Sequence, residues 1–154
     1  FIFFLTSTQS DVALVFLGLR NCEGGQGHGG PSCESEGHDR DSLDLPGVQR
    51  QLLQAVLAAN PRTVLVLLNG GPVSIPWAAA NVPAILEAWY GGMEGAPAIV
   101  DVLFGAVSPS GRLPYTVPTD VSTLPPETNM ELTPAAAPPY GRTYRFGRLS
   151  LDDE

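Results

Sequence analysis

Glu34 and Glu36 are the two residues whose type and spacing best suit chemistry. They lie in Cys33-Glu-Ser-Glu-Gly-His-Asp-Arg40, a polar run just ahead of an apolar-periodic segment. Two carboxyl groups held close together need not share one protonation state, because the charge on one raises the pKa of the other. One can then donate a proton, which is what general acid catalysis asks of a carboxyl. The plain alternative is a solvated acidic loop, and residue types alone leave both readings open.

Other clusters carry less. Cys22, His28, Cys33 and His38 are the right types for zinc, but structural zinc sites pair ligands two to four residues apart at each end of a loop, and this spacing does not. No metal is expected. Cys22 and Cys33 instead read as a disulfide or as two thiols. In an oxidising compartment the bridge would contribute about 2–3 kcal/mol by closing the glycine loop; in the cytosol both would stay reduced. Gly25-Gln-Gly-His-Gly-Gly30 matches a dinucleotide pattern, yet Pro31 follows where a helix should start. Leu68-Asn69 also stands where the ribose-binding acid belongs, so a nucleotide is not expected. A net charge of −8 argues against a nucleic-acid partner.

The elements that position the carboxylates are legible in the hydrophobic pattern. Residues 11–17 form an apolar run that predicts a strand buried on both faces. A loop over 19–45 comes next. Pro46-Gly47 opens a helix with Val48, Leu52, Leu53, Val56 and Leu57 on its inner face, and Asn60-Pro61 stops it. Residues 63–68 predict a second strand, 75–80 a short helix, 84–89 a third strand and 94–104 a helix ended by Gly105. Residues 115–117 suggest a last edge strand. Strand and helix in alternation imply an α/β fold with a mainly parallel sheet. The expected division is a fragment edge over 1–10, the α/β domain over 11–118 and an irregular Pro-rich tail over 119–154. The first residue is Phe rather than Met, consistent with a piece of a longer chain. The apolar opening over 1–5 is too short to span a membrane, and no membrane partner is expected. In an open parallel sheet, functional groups gather beyond the carboxyl ends of the strands. Glu34, Glu36 and the Tyr90-Gly-Gly turn all fall there.

The wider pattern resembles the family 3 glycoside hydrolases. Glu34-Ser-Glu-Gly-His-Asp-Arg40 followed by Leu43-Asp-Leu-Pro-Gly47 and Gln49 is similar to that family's E-x-E-x-x-D-R run leading into L-x-L-P-G-x-Q. Val66-Leu-Leu-Asn-Gly-Gly-Pro-Val73, Ala84-Ile-Leu-Glu-Ala-Trp-Tyr-Gly-Gly-Met-Glu-Gly95, Pro109-Ser-Gly-Arg-Leu-Pro114 and Tyr140-Gly-Arg-Thr-Tyr-Arg-Phe146 come after it in the family's order. The resemblance implies the C-terminal domain of such an enzyme, a three-layer α/β sandwich that packs on a barrel domain. It implies hydrolysis of a β-linked sugar, xylose-like or glucose-like, with retention. Glu34 is then the general acid/base, Glu36 the second choice, and the nucleophile lies on the absent barrel. The implied substrate is a carbohydrate, with no cofactor. By the same resemblance the parent is secreted or lysosomal.

Tyr90 is expected at the rim, where it could touch sugar, and Trp89 in the core. Asp39, Arg40 and Arg112 read as structural. Gly91 stands where the family usually has Pro, Ser108 where it has Asn, and the glycine loop is long. A carbohydrate-binding or structural module without activity is the alternative.

Overall fold

A computed structural model of the chain describes residues 9–21, 33–34, 40–125, 128 and 130, with Asn21, Cys33, Glu34 and Thr123 as backbone. Strands β1 (Ala13–Gly18), β4 (Thr63–Leu68) and β5 (Ala84–Glu87) form a parallel sheet in the order β1-β4-β5. Its register sets Val15 beside Leu65 and Leu65 beside Ile85. A second parallel pair joins β2 (Arg20–Asn21) to β3 (Cys33–Glu34). Helix α1 (Gln49–Ala59) connects β1 to β4 after the long loop, and α2 (Pro76–Asn81) connects β4 to β5. Helix α3 (Gly95–Leu103) comes after β5. The expected parallel α/β architecture is therefore present.

Both crossovers step the same way across the sheet, so right-handed connections put α1 and α2 on one face. The core lies there. It joins Ala13, Val15 and Leu17 of β1, Leu53 and Val56 of α1, Leu65 and Leu67 of β4, and Ala78 of α2. Burial on both faces of β1, expected from its continuous apolar run, is not what the structure has. Leu14 and Phe16 are 42% and 49% exposed on the opposite face. Helix α3 contributes no buried residue.

Local chemistry explains the boundaries. Gly47 takes φ +60 just before α1, and Val48 sits at the N-cap, 74% exposed, rather than on the inner face as its spacing suggests. Asn60 ends the helix. Its N–H donates to the Val56 carbonyl at 2.8 Å, its Nδ2 to the Ser10 carbonyl at 2.9 Å, and its Oδ1 accepts from Arg62 N–H at 2.9 Å. A buried amide with all these bonds carries little desolvation penalty. Strand β5 stops two residues earlier than its apolar run predicts, because Trp89 takes φ 56, a left-handed conformation no strand continues through. The edge strand expected over 115–117 does not form. Tyr115 instead sets its ring edge-on to Trp89, 5.9 Å between centroids. The 119–125 segment contains a 3-10 turn, Val121–Thr123, whose start is capped by Asp120 Oδ1 accepting from Ser122 N–H at 2.7 Å. Most of the expected tail, 131–154, lies outside the described residues.

Gly18 closes β1 at a point with no room for a side chain. It has φ +147, and a Cβ there would stand 1.9 Å from the Leu68 carbonyl oxygen. The Gln49 amide accepts from Gly18 N–H at 2.8 Å and donates to the Gly18 carbonyl at 2.9 Å. Gly18→Ala is expected to cost about 3 kcal/mol or more, since backbone rather than a flexible side chain must yield. Urea unfolding measures it, and an unchanged midpoint would contradict the close approach.

Candidate functional site

The carboxyl edge of the sheet is built by the clamp at Gly18. Gln49 is the first residue of α1, so its amide ties the start of that helix to the end of β1. The chain then leaves through Leu19, whose N–H still bonds the Leu68 carbonyl at 2.9 Å, into β2. Register places Arg20 beside Cys33 and Asn21 beside Glu34. The backbone of Glu34 thus lies just past the carboxyl end of β1, on the edge that topology assigns to function. Glu36, Cys22, His28, His38 and Asp39 lie outside the described residues.

Arg40 does what its neighbourhood suggested. Its guanidinium donates to the Pro72 carbonyl through Nη2 and to the Ser42 carbonyl through Nη1 at 3.5 Å, pinning the end of the long loop to the turn after β4. Ser74 continues the seam. Its N–H bonds the Leu43 carbonyl at 2.7 Å and its hydroxyl donates to the Thr119 carbonyl at 2.6 Å. Arg112 donates to the carbonyls of Ser110 and Gly111 and holds its own turn. A pocket of about 250 Å³ lies between the starts of α1 and α2, with Asp44, Arg50, Gln51 and Trp77 among its walls.

Tyr90 is 45% exposed after β5. Trp89 is half-buried at the same turn and outside the core cluster, contrary to its expected place, because its left-handed backbone carries the ring toward Tyr115. Glu34 and Tyr90 are on one edge of the sheet but come after strands at its opposite sides.

Glu87, which motif reading passed over, is a perturbed carboxyl at this edge. It is the last residue of β5 and stands in register with Leu67, two residues before Asn69. Its carboxyl lines an apolar pocket of about 460 Å³ with Leu67, Val73, Ile85, Leu113 and Val117. Burial is the leading cause of a pKa raised above the ordinary carboxyl value; hydrogen bonds from the Asn69 side chain and the Trp89 N–H pull the other way without cancelling it. Glu87 Oε1 and Asn69 Oδ1 are both buried without a partner. The signal available in the sequence was a lone acid ending an apolar strand, Ile85-Leu-Glu-Ala.

Among the described residues no three metal-ligating side chains converge, and no helix is long and apolar enough to cross a membrane.

A parallel α/β domain that gathers its loops and carboxyl groups on one sheet edge is a class shared by many enzymes. The description "Glycosyl hydrolase family 3 C-terminal domain" matches residues 5–150, and the chain belongs to that family. It is 46% identical over 125 residues to an exo-α-(1→6)-L-arabinopyranosidase from Bifidobacterium breve, covering 80% of this chain and 15% of that protein. To a probable β-glucosidase I from Aspergillus terreus it is 40% identical over 123 residues, 80% of this chain and 13% of the other. The crystal structure of a family 3 β-glucosidase from Bifidobacterium adolescentis superimposes with a TM-score of 0.66 at 45% identity, over 79% of this chain and 17% of that one. The chain therefore spans less than a fifth of the length of these relatives.

The raised Glu87 value has a consequence for stability. Below pH 4.5 the group is protonated folded or unfolded. Between 4.5 and its raised value the unfolded chain is ionised while the folded chain holds the proton, so stability falls as pH rises, and it levels off above. Glu87→Gln is expected to remove that part of the decline. Urea midpoints of both proteins from pH 4 to 8 test it; a constant difference between them across that range contradicts the burial of this carboxyl.

Proposed function

We propose that this chain supplies the general acid/base of a retaining β-glycosidase, with Glu34 as that residue and the nucleophile on a barrel domain of the same parent chain. The observation that carries the reading is the placement of the Glu34 backbone on β3, past the carboxyl end of β1. Membership of family 3 supports it. Glu36, two residues on, is the second choice.

The chemistry requires such a division. A retaining enzyme sets two carboxyls about 5–5.5 Å apart. One attacks the anomeric carbon and forms a glycosyl-enzyme. The other protonates the leaving oxygen, then takes a proton from water as the intermediate is hydrolysed. A loop carrying the acid over a barrel would be desolvated there, which keeps a carboxyl protonated for the first step. The substrate we favour is a β-glucoside, in line with the names of the relatives, with a β-xyloside second. Tyr90, exposed on the same edge, is proposed to line the sugar site.

Alone, the 154-residue chain should not turn over nitrophenyl β-glucosides or β-xylosides above background, since one carboxyl cannot complete double displacement. Turnover by the purified chain that Glu34→Gln abolishes would overturn the two-domain account.

In the parent protein, Glu34→Gln should slow substrates with poor leaving groups by about a hundredfold or more. Activated aryl glycosides should lose far less in that step, because a leaving group of low pKa needs little protonation. Azide should partly restore turnover of the activated substrate by attacking the glycosyl-enzyme without a base. If Glu36→Gln shows this pattern while Glu34→Gln behaves as wild type, the acid is Glu36.

A further inference from the structure

The pocket between the starts of α1 and α2 combines an apolar lining with three polar side chains. Leu53 and Ala78, both core residues, belong to the lining. Trp77, half-buried and packed against the same core, forms one wall. Asp44, Arg50 and Gln51 complete the walls, and all three are exposed. Asp44 and Arg50 share this space without forming an ion pair; among the described residues the one ion pair joins Arg62 to Asp11. Their charged groups are thus left for water or a ligand. The frame that carries them is well tied. Asp44 and Ser74 form a parallel bridge. Ser74 N–H bonds the Leu43 carbonyl at 2.7 Å, and Asp44 N–H bonds the Ser42 hydroxyl at 3.1 Å. Arg50 and Gln51 occupy the first turn of α1, whose start the Gln49 amide ties to Gly18. Side chains on such supports lose less freedom when a ligand binds.

We propose that this pocket binds a single neutral sugar ring, a hexose or a pentose. Its charges disfavour other classes. The Asp44 carboxyl opposes a simple anion, and the Arg50 guanidinium opposes a simple cation. A zwitterion would rely on ion pairs, and pairs with groups this exposed contribute little. A hydroxyl needs no charge and both donates and accepts. Asp44 supplies acceptors, Arg50 donors and Gln51 both, so hydroxyls spread around one ring can meet all three. An aromatic wall suits such a ring, because the negative face of an indole attracts the weakly positive C–H bonds on one side of a sugar. Size sets the limit. At about 250 Å³ the pocket is smaller than the roughly 300–1,000 Å³ of sites for drug-sized ligands, which suits one ring rather than an oligosaccharide. The inference rests on these side chains and does not need Glu34.

Trp89→Phe leaves Trp77 as the sole tryptophan, since the chain has 2, so emission then reports this pocket. In that background methyl β-glucoside or methyl β-xyloside, titrated into the 154-residue chain, should shift Trp77 emission to the blue and saturate with a Kd of about 1–10 mM. Asp44→Ala and Arg50→Met should each weaken binding about tenfold, the factor that a hydrogen bond to a charged group supplies. Both side chains are exposed, so far-UV circular dichroism and the urea midpoint should not change. Cyclohexanol, a ring without the set of hydroxyls, and glycine, a zwitterion, should give no saturable shift. No saturation by either glycoside up to about 100 mM, or unchanged binding in both variants, overturns the proposal. Cyclohexanol or glycine binding as tightly as the glycosides overturns the class of ligand. Glycoside binding that Glu34→Gln abolishes belongs to the edge proposed for catalysis and overturns the assignment to this pocket. Binding that depends on Asp44 and Arg50, in a chain whose parent is inactive on every glycoside, upholds this proposal and overturns only the function proposed above.

Discussion

The architecture of the rim depends on one contact, the Gln49 side chain bonding both the N–H and the carbonyl of Gly18. A strand that ends a parallel sheet leaves main-chain polar groups without ladder partners, and burying them unpaired is costly. Here the first side chain of the next helix satisfies them. The arrangement needs a glycine, because the Leu68 carbonyl occupies the place of a Cβ. It also needs the helix to start where it does, which the Pro46-Gly47 turn arranges, Gly47 supplying φ +60. From that anchor the chain has one direction to leave in, and it enters β2. The strand that carries Glu34 pairs with β2, so its position is inherited from the clamp.

The same edge is stitched from several chain segments that lie far apart in sequence. Arg40 reaches the turn after β4, and Ser74 joins the long loop both to residue 119 and to the start of α2. Most of these bonds run from a side chain to a main-chain carbonyl. Such bonds fix where loops sit by giving main-chain carbonyls donors from distant segments.

Elements with strong local signals were legible from residues alone. The 63–68 run is β4 with the same bounds, and the helix after Pro46-Gly47 ends at Asn60, whose side chain accepts from Arg62 N–H and donates to the Ser10 carbonyl. The errors came where tertiary context overrides pattern. An apolar run such as Leu14-Val-Phe16 cannot tell whether its second face is covered, and here that face is half exposed. Residues 84–89 read as strand through Trp89, since nothing local announces a left-handed tryptophan. Tyr115 to Val117 has strand propensity yet forms no strand among the described residues, and propensity for sheet is mostly a matter of neighbours. Glu34 is singled out by motif order. Glu87 escapes such a reading because its perturbation comes from burial, which is not visible in a string.

The exposed side chains on the second face of β1 bear on how the chain behaves in concentrated solution. Val12, Leu14 and Phe16 stand exposed along an edge strand, and Phe104 is 78% exposed beyond α3. Edge strands with apolar faces invite pairing between copies, and natural proteins oppose this with charge. This chain carries a net −8 at neutral pH and has a sequence pI near 4.6. Its colloidal protection is therefore electrostatic and vanishes near that pH. Acid handling would then remove the repulsion between molecules while the apolar side chains of β1 stay exposed. Added salt screens the same repulsion at neutral pH.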